Sequence, residues 1–367
     1  MEIPNSVTSI GVTAFSNCSS LTSVTIPDGV TSIGVEAFYK CTRLQSVTIP
    51  DSVTSIGNSA FSNCSSLTSV VIGNGVTSIG NGAFNGCSSL TSVTIPDGVT
   101  WIDMWAFSNC SSLTSVYITD IEAWCNISFY DDGANPLCNG ANLYLNNELV
   151  TELVIPDTVT EIKDYTFENC SSLTSVVIPS SVTSIGSSVF SGCSSLTSVV
   201  IPDGVTSISS SAFYNCNNLT SVVIPGSVTS IRYQAFYGCS SLTSVTTPNS
   251  VTSIERYTFE GCSNLTSVVI GNGVTSIGNQ AFYKCSSLTS IVIPNSVTYI
   301  DRNALSIGST TNLATITMLS ATPPTIDSST FTKTYLNKII VPIGTGDTYK
   351  TATNWATFAD YIEEATE

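Results

Sequence analysis

The sequence predicts a leucine-rich-repeat solenoid, α/β or mainly β, of about 14 turns of 23 residues. One face would be a parallel β-sheet, the other a set of short second extended or turn segments. Three observations carry this reading. Cysteines recur at 18, 41, 64, 87 and 110, and again at 170, 193, 216, 239, 262 and 285, a step of 23 within each block. Every turn repeats one apolar pattern, as in Leu21, Val24, Ile26, Val30, Ile33, Ala37, Phe38 and Cys41. Hydrophobic residues make up 42% of the chain and charged ones 10%, so there is ample material to bury. A chain of 367 residues exceeds what one compact core organises, which favours an extended array.

Each element follows from local chemistry. Val24 and Ile26 alternate with Thr25, the period of a half-buried strand. Pro27 has no N–H and stops that ladder, and Asp28-Gly29 supplies the turn. Val30–Gly34 reads as a second, shorter extended piece; Glu36–Cys41 as a tight turn or single helical turn that carries Phe38 inward. No copy can hide its apolar side alone, but neighbours can hide it for each other. Strands ~4.8 Å apart would make the array roughly 65 to 70 Å long.

Residues 1–320 are expected to form the solenoid, with a variant long repeat inserted at about 119–149. The insert holds Trp124, Cys125 and Cys138, and its Asn146-Asn147 pair suits a hairpin turn. Residues 321–367 are expected to be a degenerate last repeat and C-terminal cap, a terminal strand followed by a short amphipathic helix.

The unit LxxVxIPxxVxxIGxxAFxxC, seen at Leu67–Cys87 with Gly73 in place of the proline, resembles the BspA-like leucine-rich repeat of bacterial surface and secreted proteins. The stretches VYITDIEAWCNISF and LYLNNELVTELVIPD are similar to a variant repeat of that family, and TPPTIDSSTF with TYKTATNWATFADYI to its usual tail. The resemblance covers essentially the whole chain. It implies a right-handed, curved array and a non-enzymatic binding scaffold at the cell surface of a bacterium or outside it, used in adhesion. Host or matrix proteins or glycans would be the partners. The alternative is a structural spacer that displays other domains and has no ligand of its own.

Composition excludes much else. The net charge is −16, with 26 acidic and 10 basic residues, so a nucleic-acid backbone would be repelled. No apolar run approaches the roughly 20 residues of a spanning helix, so membrane insertion is not expected. With no histidine, Ser-His and Cys-His nucleophiles and imidazole metal ligands are ruled out. No catalytic residue, cofactor or metal is predicted, and the chain is expected to be a monomer. Its first residues, MEIPNSVTSIG, start within a repeat and carry no leader pattern, so a leader is expected to have been removed or truncated.

Five groups of side chains are candidates for a site. Asp28, Asp51, Asp97, Asp157 and Asp203 share one turn position with Asn249 and Asn295, which points to turn geometry. Asp131-Asp132-Gly133 hints at calcium but lacks the spacing of a known loop. The cysteine column reads as free core thiols, since in-register side chains point alike; a Cys125–Cys138 bridge stays open. The outward Ser and Thr rows keep the sheet wettable or meet a repetitive ligand. Variation is concentrated just before and after the Phe. There Trp101, Trp105, Tyr165, Arg232, Tyr233, Tyr237, Arg256 and Tyr257, with Trp124 of the insert, are the candidate partner-binding residues, being the types that carry interface energy.

Overall fold

A computed structural model of the chain describes residues 1–312 and 314–366. The chain forms two compact units, Met1–Leu173 and Thr174–Glu367, each a stack of parallel turns.

In the first unit the three-residue strands Ser23–Thr25, Ser46–Thr48, Ser69–Val71 and Ser92–Thr94 pair in parallel, Ser on Ser, and the ladder runs on through Ser115–Ile118 and Asn142–Leu145. Each short strand buries its central Val between two exposed neighbours. A second ladder joins Ser9–Ile10, Ser32–Ile33, Ser55–Ile56, Ser78–Ile79, Trp101–Ile102 and Ser128–Phe129.

The stretch around the Phe does more than turn the chain; it forms a third ladder. Glu36, Phe38 and Lys40 donate their N–H groups to the carbonyls of Asn58, Ala60 and Ser62 at 2.7 to 2.8 Å. Ala37, Tyr39 and Cys41 between them close local turns onto Gly34, Glu36 and Phe38. This alternation needs left-handed backbone at Glu36 and Lys40, with φ of 54° and 56°, so successive donors can leave in different directions. The same two positions are left-handed in repeat after repeat, including Ser59 and Asn63, and Ser211 and Asn215. Sequence patterning showed a turn here, but not that it carries inter-repeat hydrogen bonds.

Side-chain columns fill the interior. Phe15, Phe38, Phe61, Phe84 and Phe107 stack with ring centroids 5.1 to 5.5 Å apart. Thr54 and Thr77 donate their hydroxyls to the carbonyls of Thr31 and Thr54 one repeat earlier. The turn aspartate acts structurally: Asp51 accepts the N–H of Asn74 at 2.7 Å, and Asn249 does the same for Asn272 at 2.8 Å. Where the turn reads GNG the backbones approach so closely that a Cβ on Gly75 would sit 1.9 Å from the Asp51 carbonyl oxygen.

The insert is an extra turn plus a hairpin. Helix α1 (Ile121–Asn126) starts at Asp120, whose carboxylate accepts the N–H groups of Glu122 and Ala123. The chain then adds Ser128–Phe129 to the second ladder and Asn142–Leu145 to the first. Asn146 and Asn147, at φ of 52° and 69°, turn it back into the antiparallel strand Glu148–Leu149.

In the second unit the long-strand ladder joins Ser175–Val177, Ser198–Val200 and Ser221–Val223, and Ser244–Thr246 pairs with Ser267–Val269. Ser290–Ile293, Ala314–Met318 and Leu336–Val341 continue in parallel. Phe190, Phe213, Phe236, Phe259 and Phe282 stack at 5.3 to 5.6 Å. The chain does not finish on an amphipathic helix, as the sequence had suggested. After helix α2 (Gly346–Thr351) and the 3-10 segment Trp355–Tyr361, Ile362–Glu364 pairs in parallel with Leu336–Val341. A strand wins because Ile362 is buried while Glu363 and Glu364 face water, and the Glu364 carboxylate accepts the N–H groups of Gly344 and Gly346.

Candidate functional site

Most of the candidate residues lie where each turn leaves the second ladder and enters the Phe segment; Trp124 lies in α1 and Tyr237 follows Phe236. Three of them, Trp105, Tyr165 and Tyr257, occupy the left-handed position that other repeats fill with Gly82, Ser59, Gln234 or Asn303. For a bulky residue that conformation costs roughly 1 to 2 kcal/mol. At Trp105, where the side chain is also exposed, a strained large residue is not what packing would select.

In the first unit Trp105 is 52% exposed and Trp101 is 41% exposed. Trp101 meets Tyr130 edge-on with ring centroids 6.2 Å apart. The insert secures Trp105: Asp131 accepts its N–H at 3.1 Å and caps the following 3-10 turn through Ala134. Asp132 likewise accepts the N–H of Gly133. Backbone capping is thus the work of the pair that hinted at calcium, and among the described residues no group of three or more acidic, Cys or His side chains is placed to hold a metal. Trp105, Asn85, Asn109, Asp132 and Asn139 line an open groove of about 390 Å³. Tyr165 is half-buried; its carbonyl accepts the Asn135 amide at 2.7 Å. Burial, helped by Asp164, Glu168, Asp132 and Asp131, pushes its phenol up.

Trp124 is not a surface residue. It is 1% exposed, packs on Phe129 at 5.3 Å and donates its indole N–H to the Thr166 carbonyl at 2.9 Å. The Asp120 cap sets the phase of α1, and Ile121, Trp124 and Cys125 then share the inner face. An aromatic residue in an insert looked like a binding group; helical phase made it core.

In the second unit Arg256 lies over the Tyr233 ring at 4.7 Å, and Tyr233 meets Tyr257 edge-on at 5.7 Å. Tyr233 donates its N–H to the Glu255 carboxylate at 2.9 Å. Arg232 is exposed. Tyr237 is half-buried and stacks on Tyr214 at 4.8 Å, forming a separate pair. Tyr130, Tyr299 and Asn279 carry no signal that the sequence reading used, whereas Arg302 lies in the variable stretch before the Phe position. One signal could have found Tyr299: Trp101 and Tyr299 both replace the serine of the VTSI segment, opposite Ser78 and Ser276.

The cysteines are free thiols, Cys125 and Cys138 included. Burial pushes Cys64, Cys110, Cys125 and Cys138 up to about 12 and Cys41 to about 11, so they are poor nucleophiles. Among the described residues no helix is long and apolar enough to cross a membrane.

Stacked parallel turns of about 23 residues, with a Leu/Val/Ile/Phe interior and exposed variable edges, define a leucine-rich-repeat solenoid. The chain belongs to the BspA-type leucine-rich repeat family, whose model matches residues 1–131, 140–266 and 229–353 in 6 copies. It is similar to a leucine-rich repeat protein of Bacteroides ovatus, at 29% identity and a TM-score of 0.71, covering 100% of this chain and 92% of the other. It also matches a leucine-rich repeat protein of Eubacterium ventriosum, at 25% identity, a TM-score of 0.53 and coverage of 77% and 82%. A leucine-rich cell surface protein of Faecalibacterium prausnitzii matches at 31% identity and a TM-score of 0.49, with 73% and 78% covered. No curated protein matches the chain.

Proposed function

We propose that the protein is a non-enzymatic binding scaffold, secreted by a bacterium or held at its surface, that as a monomer recognises a host or matrix protein or glycan. The observation that carries this is Trp105: a large ring, 52% exposed, held at φ 56° above a groove of amide and carboxylate side chains. Aromatic faces beside a few fixed polar groups are what a pyranose or a peptide side chain packs against. Membership of a family of surface and secreted proteins supports the address.

A spacer without a ligand is the second reading, favoured by Thr54, Thr68, Thr77 and Thr91, whose hydroxyls are already donated to neighbouring repeats. Glycan and extracellular-matrix protein arrays probed with the full chain and with Trp105→Gly separate the two. Hits lost in the variant support the scaffold. An array without hits supports the spacer.

A further inference from the structure

A second groove, in the Thr174–Glu367 unit, gathers arginines, which are scarce in this chain. It is open, about 540 Å³ in volume, and lined by Arg256, Tyr257, Asn279, Tyr299 and Arg302, with the carboxylates of Glu255 and Asp301 also in its wall. That volume lies within the ~300–1,000 Å³ range of small-ligand sites. Arg232, Arg256 and Arg302 are three of the four arginines in a chain of net charge −16, and all three lie within four successive turns.

The acids here are tied down by hydrogen bonds rather than by the arginines, and Asp301 also meets the Tyr299 hydroxyl. Glu255 accepts the Tyr233 N–H at 2.9 Å, and Asp301 accepts the Arg302 N–H at 2.7 Å. Asp327, close enough to feel the Arg302 charge, takes the N–H and hydroxyl of Ser329. Among the described residues neither Arg256 nor Arg302 has a carboxylate within 4.0 Å. The Tyr233 face at 4.7 Å orients the Arg256 guanidinium and leaves its edge N–H groups open, the fork that matches a carboxylate. Asn279 donates its amide N–H to the Arg302 carbonyl at 3.0 Å, which fixes its amide oxygen as an acceptor for a hydroxyl. The Tyr257 and Tyr299 rings add apolar wall.

We propose that this groove binds an acidic sugar residue, a pyranose bearing one carboxylate, at the end of or within a glycan. Arg256 and Arg302 hold the carboxylate, Asn279 takes a ring hydroxyl, and the tyrosines pack the sugar's C–H face. One negative charge suits two arginines set in an acidic surface, whereas the field of the whole chain opposes a polyanion. This inference rests on the scaffold reading and narrows it to a ligand class.

The test is calorimetric titration of the full chain with 3′-sialyllactose and with an unsulfated hyaluronan tetrasaccharide, lactose being the neutral control. At least one acidic probe should bind and lactose should not. Arg256→Met and Arg302→Met should each weaken that binding about ten- to hundredfold, the worth of one charge-assisted pair, with an unchanged melting temperature. Tyr299→Ser, which restores the common residue of that position, should weaken it without changing its salt dependence. Equal binding of lactose, indifference to both arginine variants, or no binding of either acidic probe would overturn the assignment. If array hits at the Trp105 edge persist in that case, the scaffold reading stands without this site; if those hits are absent too, both fail.

Discussion

The Cys64 thiol donates to the carbonyl oxygen of Phe38, 26 residues earlier, at 3.2 Å. Cys87, Cys110, Cys216, Cys239 and Cys262 repeat the contact with Phe61, Phe84, Phe190, Phe213 and Phe236. The thiol column is a row of small core fillers, each tied to the turn before it.

That geometry makes the thiols inert until the fold opens. Of thirteen cysteines only Cys18 and Cys138 have appreciable exposed surface. A thiol-specific chromophore at pH 8 should label at most these two in the native protein and the remainder only in denaturant. Fast reaction of four or more would contradict the packing.

Alkali should unfold the protein early. Burial raises the folded-state pKa of Cys64 and Cys110 from 9.0 to about 12. Unfolded chains therefore lose thiol protons first, so this contribution is complete below pH 9 and declines as pH climbs toward 12. Each thiol loses roughly 1.4 kcal/mol per pH unit in that window, and several act together. Urea midpoints at pH 8, 9 and 10 should fall with increasing steepness.

Phe61 is fully buried and sandwiched by Phe38 and Phe84, at 5.1 and 5.5 Å. Phe61→Ala should cost about 3 to 5 kcal/mol through the cavity it leaves, read as a lower chemical-denaturation midpoint. A loss below about 1 kcal/mol would mean that neighbouring turns collapse onto the gap.

Trp105→Gly should separate binding from stability. Glycine relieves the φ of 56° but adds unfolded-state entropy, so net stability should move by less than about 1 kcal/mol while array binding disappears. Trp124→Ala should behave in the opposite way. It opens a cavity and leaves the Thr166 carbonyl only its longer hydrogen bond from Asn135, so about 3 to 5 kcal/mol of stability should go.

The last turn should behave as a closing element. Tyr349 and Trp355 meet edge-on at 4.9 Å, and Phe358 packs on Phe331 at 5.1 Å. Truncating the chain after Val341 would remove Tyr349, Trp355 and Phe358 and bare Phe331 and the edge of strand Leu336–Val341. The truncated chain should bind a hydrophobic dye and aggregate on warming, whereas an unchanged melting curve would show that the segment is dispensable.

Much of this was legible because one apolar pattern is written at a constant step. Val24, Ile33 and Phe38 announce strand, second strand and inward turn from their spacing alone, and Asp51 with Asn249 announces its turn by interchange. The third ladder was not legible, since left-handed backbone at Glu36 or Trp105 leaves no mark when Glu, Trp, Ser and Gln all occupy it. The groove of Arg256, Asn279 and Arg302 was equally hidden: residues 23 positions apart become neighbours only once the turns are stacked.

The sequence by itself determined the repeat, the strands, the buried columns and the family, because each turn's one-sided apolar face has a single satisfactory partner, a copy of itself. Only the tertiary structure decided that Trp124 faces inward, that the chain ends on a strand, and which variable side chains meet across turns. Those outcomes depend on helical phase, on an open ladder edge and on inter-turn contact, and none of these is encoded in a period.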